Sequence, residues 1–282
     1  MPKEPNPFFQ LMKGLLYFGL FICCQVVTST VLLFVYALEK GYADQAAGIA
    51  LSSDSLMAYA QEKVQENINL FLILYTALFL VVLAIFFAIR KKNVLHEVQL
   101  KKFSPRFLPS LLLLVPGLFL FTNSALSLLP SFLVESYMAA SSGLGKGTLL
   151  IALFTQAICA PLTEEITFRG LMLSRLNVSF PKWGGVLISS ILFGVIHGNP
   201  VWFFYAALIG SVFCVVTNRT GSILATLLLH GLFNGLGTVI SRFTIRISYQ
   251  LVIACFILGL LLTVLGLWLL LRKEKTPKTS EV

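Results

Sequence analysis

Along most of the chain the apolar positions neither alternate nor recur every three to four residues. They run on in blocks of about twenty, a length that rises about 30 Å as a helix and matches the hydrocarbon thickness of a bilayer. Eight blocks are predicted as spans: 15–38, 67–89, 107–129, 147–174, 184–199, 201–217, 221–240 and 248–271. The fifth and sixth are short. The "HGNP" between them, at 197–200, reads either as a tight external turn or as the break in a re-entrant element, because irregular backbone is tolerated at membrane depth only where protein or water satisfies it. The expected fold is all-α, a polytopic membrane helix bundle.

The polar segments between the blocks set the expected orientation. "RKKNVLHEVQLKKFSPR" at 90–106 and the tail beginning "RKEKTPK" after Leu271 are basic, and positive loops stay cytoplasmic. The acidic segment 39–66 then lies outside, and both termini lie inside (N-in/C-in) with an even number of spans. Arg242 and Arg246 fall in a loop that this assignment places outside, against the trend. The chain divides into 1–146, the first three spans and their loops; 147–240, a core of four spans; and 241–282, the last span and a basic tail.

Composition narrows the class. With 57% hydrophobic and 12% charged residues and a mean hydropathy of +0.88, the chain lies outside the soluble range. The net charge of +9 is spread over loops instead of forming one basic patch, so membrane topology explains it and nucleic acid is not an expected partner. Cys23, Cys24, Cys159, Cys214 and Cys255 fall in apolar stretches without C-x-x-C spacing and read as small buried residues. "NRT" at 218–220 matches a glycosylation pattern but falls in a short cytoplasmic turn and is discounted. The apolar N-terminal block is longer than a signal-peptide core, so an uncleaved first span is expected.

The chemistry lies in the polar residues inside the spans. "TEEITFRG" at 163–170 puts Glu164, Glu165 and Arg169 in the fourth block, where each ionised residue costs about 2.5–3.5 kcal/mol to insert. Glu165 and Arg169 are spaced i,i+4 and read as an ion pair on one helix face. Glu164 points about 100° away and is left over, a candidate general base. Of the three histidines, His96 lies in the basic loop, whereas His197 and His230 fall within or at the ends of spans. Asn234 follows His230 by one helical turn. Counted from the cytoplasmic ends, Glu164, His197, His230 and Asn234 reach similar depths, about 14–20 Å. Pro161 removes one backbone hydrogen bond just before Glu164 and is expected to kink or widen the helix there.

"EEITFR" at 164–169, "FGVIH" at 193–197 and "HGLFN" at 230–234 together resemble the motifs of the CPBP family of intramembrane proteases, also called the CAAX protease and bacteriocin-processing or Abi family. The resemblance covers about a third of the chain, 147–240. It implies that Glu164 activates a water held by His197, that His230 and Asn234 stabilise the oxyanion, that Glu165 and Arg169 support the site, and that Phe193 shapes the pocket or packs behind His197. Glu164, His197 and His230 equally offer a three-ligand zinc site with an open position for water, although the H-E-x-x-H spacing is absent.

The expected function is therefore an integral-membrane endopeptidase, CAAX-protease-like, acting on a membrane-associated peptide or protein substrate in a prokaryotic plasma membrane. The alternative is a non-catalytic membrane partner or a bacteriocin self-immunity protein of the same family. A transporter is disfavoured because no two related halves with paired broken helices are present.

Overall fold

A computed structural model describes residues 6–243 and 247–272. Arg246 and the basic tail beyond Arg272 lie outside the described residues. Among those described there is no strand, and seven helices are long and apolar enough to cross a membrane.

Helix α1 (Pro7–Ala46) starts where Asn6 caps the amide of Phe8 and Pro7 occupies the first turn, and it continues for 40 residues. At about 1.5 Å per residue it is roughly twice as long as the membrane core. Its far end is therefore outside the hydrocarbon, and α2 (Ser53–Glu66) folds back along it, with the Tyr59 hydroxyl donating to Glu39. The segment expected as an acidic loop is largely helical. Too short and too polar to register as a span, it gains its stability from α1.

The first return crossing is α3 (Ile68–Ile89). The basic connection that follows holds the short α4 (Val94–Glu97), and a 3₁₀ turn at Pro105–Phe107 leads into α5 (Leu108–Ser127). Helix α6 (Ser131–Ser141) lies outside the spans.

Next comes a 31-residue composite helix, Leu149–Ser179. It is built from α7 (Leu149–Phe154), a π-helical stretch Thr155–Cys159, α8 (Ala160–Glu164), a second π-helical stretch Glu165–Leu173 and α9 (Ser174–Ser179).

The expected fifth span is a helix of only 14 residues, α10 (Lys182–Val195), well short of the other crossings. "HGNP" is a tight turn. Gly198 takes φ +69, a value that L side chains rarely adopt. The Asn199 side chain caps the amides of Val201 and Trp202, and Pro200 opens α11 (Pro200–Thr220), which packs back along α10. Asn199 also donates from Nδ2 to the Ser136 hydroxyl at 2.9 Å, tying α6 over this turn.

The bundle closes with α12 (Ile223–Ile240) and α13 (Tyr249–Leu271). α13 packs along α5, from the opposite end of the sequence, at close range. A Cβ at Gly259 would lie 2.3 Å from the backbone nitrogen of Phe121, so only glycine admits this contact.

The two ends of the bundle differ in charge. Arg90, Lys91, Lys92, Lys101, Lys102, Arg106, Arg175, Lys182, Arg219 and Arg272 cluster at the end where α3, α9, α11 and α13 finish and where α5, α10 and α12 start. Aromatic packing links the composite helix to α1 and α10: Phe168 stands edge-on to Phe21 and Phe193, at 5.6 and 5.2 Å between ring centroids.

Candidate active site

The composite helix supplies the acidic half of the site. Arg169 Nη1 donates to Glu165 Oε1 at 2.8 Å, and both side chains are fully buried. The guanidinium also donates from Nη2 to the carbonyl of Gly210 at 3.3 Å and lies 4.2 Å from the ring centroid of Phe193 and 5.2 Å from that of Phe213. Stacking on two ring faces compensates part of the lost hydration of a charge placed this deep. The ion pair expected from the i,i+4 spacing is thus formed inside the protein, in π-helical backbone.

His230, on α12, completes this cluster. Its Nδ1 lies 2.8 Å from Glu165 Oε1, and since a carboxylate only accepts, Nδ1 carries the proton. The opposite nitrogen, Nε2, faces Glu164 Oε2 at 3.8 Å. The imidazole therefore stands between the two adjacent glutamates, oriented by one and presented to the other. Glu164 keeps 17% of its side chain accessible whereas Glu165 has none, which decides which carboxylate can meet water.

His197 follows the last turn of α10. Its Nδ1 lies 2.8 Å from the carbonyl of Phe193, an acceptor only, so this nitrogen too is the protonated one and Nε2 keeps its lone pair. The Phe193 ring stands between the two imidazoles, with its centroid 5.1 Å from that of His197 and 6.2 Å from that of His230. Trp202 covers His197 from α11, at 5.1 Å between centroids. Asn234 lies one turn beyond His230, and its Nδ2 donates to the backbone carbonyl of Gln156 at 3.0 Å.

Glu164, Glu165, Arg169 and His230 are thus joined through contacts and ion pairs. Phe193 connects them to His197, and Asn234 docks next to them on the π-helical stretch before α8. Glu164, His197 and His230 do not form a ligand cluster in this arrangement: among the described residues no group of three or more His, Cys, Asp or Glu is placed to hold a metal ion.

Sequence reading missed two residues at the site. Gln156 holds Asn234 through its main chain, which no side-chain pattern signals. Tyr75, from α3, is buried in the aromatic cluster with Phe21, Phe71 and Phe79, with its hydroxyl within reach of Thr163, the residue before Glu164.

Comparison with known proteins bears on the same stretch. Residues 146–236 match the family model described as type II CAAX prenyl endopeptidase Rce1-like. An Escherichia coli protein described as an uncharacterized 24.3 kDa protein is 37% identical over 87 residues, 29% of this chain and 40% of the relative. The match thus spans less than half the length of that curated relative. No solved structure matches the chain at a significant level. The matched residues 146–236 take in the composite helix, α10, α11 and most of α12, which carry the paired glutamates, the arginine and both buried histidines, and their similarity to the Rce1-like type II CAAX prenyl endopeptidase domain is consistent with the CPBP family of intramembrane proteases.

Proposed function

We propose that this protein is an intramembrane endopeptidase that hydrolyses a peptide bond of a membrane-associated substrate with a water activated by Glu164. The observation that carries this reading is the placement of His230 between the two glutamates, Nδ1 on Glu165 and Nε2 towards Glu164. An ion-pair cluster built only for stability has no use for a carboxylate left facing the free nitrogen of an oriented imidazole.

The roles follow from the donors and acceptors available. Glu164, the accessible carboxylate, takes a proton from water as it attacks the scissile carbonyl, and later delivers that proton to the departing amine. His197, whose Nδ1 proton is committed to Phe193, offers Nε2 as an acceptor that orients the same water. His230 donates through Nε2 when both ring nitrogens carry a proton, with Nδ1 held on Glu165. In this state Glu164, Glu165, Arg169 and His230 carry two negative and two positive charges, so a buried cluster is neutral overall. Asn234 has a second Nδ2 hydrogen beyond the one given to Gln156, and with His230 it donates to the oxyanion, where one such donor is worth about 3–4 kcal/mol.

The basic end of the bundle, by the positive-inside rule, is the cytoplasmic one, with the start of α1 and the end of α13 on that side. A CAAX-type substrate presents a short C-terminal peptide next to a lipid anchor, which suits a site enclosed by membrane helices.

The test uses the full-length protein reconstituted in liposomes, with farnesylated C-a-a-X peptides and unmodified hydrophobic peptides as probes and products read by mass spectrometry. Glu164→Gln is expected to lower kcat roughly a hundredfold to ten-thousandfold. Equal rates for Glu164→Gln and wild type would reject Glu164 as the base, and a wild-type protein inert towards every probe would favour a non-catalytic partner role.

A further inference from the structure

The amide of Asn234 rests on a backbone carbonyl that an ordinary helix would not leave free. In an α-helix the carbonyl of Gln156 accepts from the amide of residue 160. Here the amide of Ala160 donates one residue further back, to the carbonyl of Thr155, as the π-helical register requires. In that register the next amide in line for Gln156 belongs to residue 161, which is proline and has none. The register shift and the proline together leave the Gln156 carbonyl without a helical donor, and Asn234 Nδ2 occupies it at 3.0 Å.

α12 is fitted to the same stretch. A Cβ at Gly231 would lie 2.6 Å from the carbonyl oxygen of Ala157, so the two backbones approach as closely as glycine allows. Asn234 is one turn from His230, and Pro161 is one turn before Glu164 and its neighbour Glu165, both of which face His230. The contacts 156 to 234 and 164 to 230 therefore fix α12 against the composite helix at two levels.

We propose that Pro161 is a positioning residue for the reaction: by withholding an amide it keeps the Gln156 carbonyl open as the seat that orients Asn234 towards the oxyanion. The seat itself is a property of the substrate-free protein, and only its catalytic consequence rests on the protease reading.

The test is a double-mutant cycle with Pro161→Ala and Asn234→Ala, read first as the thermal unfolding midpoint of the substrate-free protein in detergent. Alone, Asn234→Ala leaves a buried carbonyl unpaired and is expected to lower the midpoint by about 3 °C or more. In the Pro161→Ala background the new amide at 161 takes that carbonyl, and Asn234→Ala is expected to cost less than half as much. Additive losses would overturn the proposal. With a cleavable probe, Pro161→Ala is expected to lower kcat about tenfold with KM unchanged; a change confined to KM would also overturn it.

Coupling in unfolding without cleavage would count against the protease reading and leave the seat standing, whereas cleavage with additive unfolding would do the reverse. If Pro161→Ala does not fold, Asn234→Asp replaces it. Asp sets acceptor against acceptor and is expected to unfold below Asn234→Ala, and a midpoint at or above that of Asn234→Ala would reject the seat.

Discussion

Glu165 Oε1 accepts from both Arg169 and His230 at 2.8 Å, so removing this one carboxylate strands two donors. Glu165→Ala is expected to destabilise the protein by about 3–5 kcal/mol, the usual cost of breaking a buried pair from one side. Replacing both partners, as in Glu165→Met with Arg169→Met, is expected to cost less than Glu165→Ala alone, because no uncompensated charge remains. Denaturant unfolding in detergent distinguishes these outcomes. The pair itself was legible in the sequence, since i,i+4 neighbours meet on any helix. The site residues named from the motifs were legible as residue types at set spacings. The seat of Asn234 was not, because it depends on a register shift of the main chain and on which carbonyl a neighbouring helix meets.

At the scale of elements, long apolar helices were readable because a membrane imposes their length, and most span ends lie within a few residues of the hydropathy boundaries. α2 and α6 were not readable as helices: they are short, lie outside the spans and owe their structure to α1 and α11. The breadth of the π-helical stretches was equally hidden, although Pro161, in the α-helical turn between them, marked a place where the helix must adapt. Close packing of α12 gives a direct prediction. Gly231→Ala places a methyl 2.6 Å from the Ala157 carbonyl, which forces the helices apart and is expected to cost about 1–3 kcal/mol. Activity should fall more than this loss accounts for, because the separation also moves His230 from Glu164. Comparing unfolding with cleavage for this variant checks both parts.

Across the whole molecule, the basic connection after α3 is tied to the end of the composite helix by Glu97, which accepts from Lys92 at 3.0 Å and pairs with Arg175. Partial burial pushes the Glu97 carboxyl up, but Lys92 and Arg175 outweigh it and hold it below the usual carboxylate range. A folded value below the unfolded one means that the contribution to stability is present above the unfolded pKa, near 4.3. It is lost as the pH falls through the folded value. Glu97→Gln is therefore expected to be less stable than wild type at pH 7 and to converge with it in acid, as unfolding at a series of pH values will show.

The 14 residues of α10 rise only about 21 Å, some 9 Å less than a typical hydrocarbon core. Leu187, Ile191 and Val195 are exposed along it, and Trp183 is exposed at its basic end, so this short helix faces lipid. A short wall facing lipid pulls the bilayer inward, and the headgroup layer and its water then descend beside His197, which follows the helix end. The site's supply of solvent becomes a property of the surrounding lipid. Turnover is expected to rise as the acyl chains of the host liposome are shortened and to fall as they are lengthened, in a protein whose own residues have not changed.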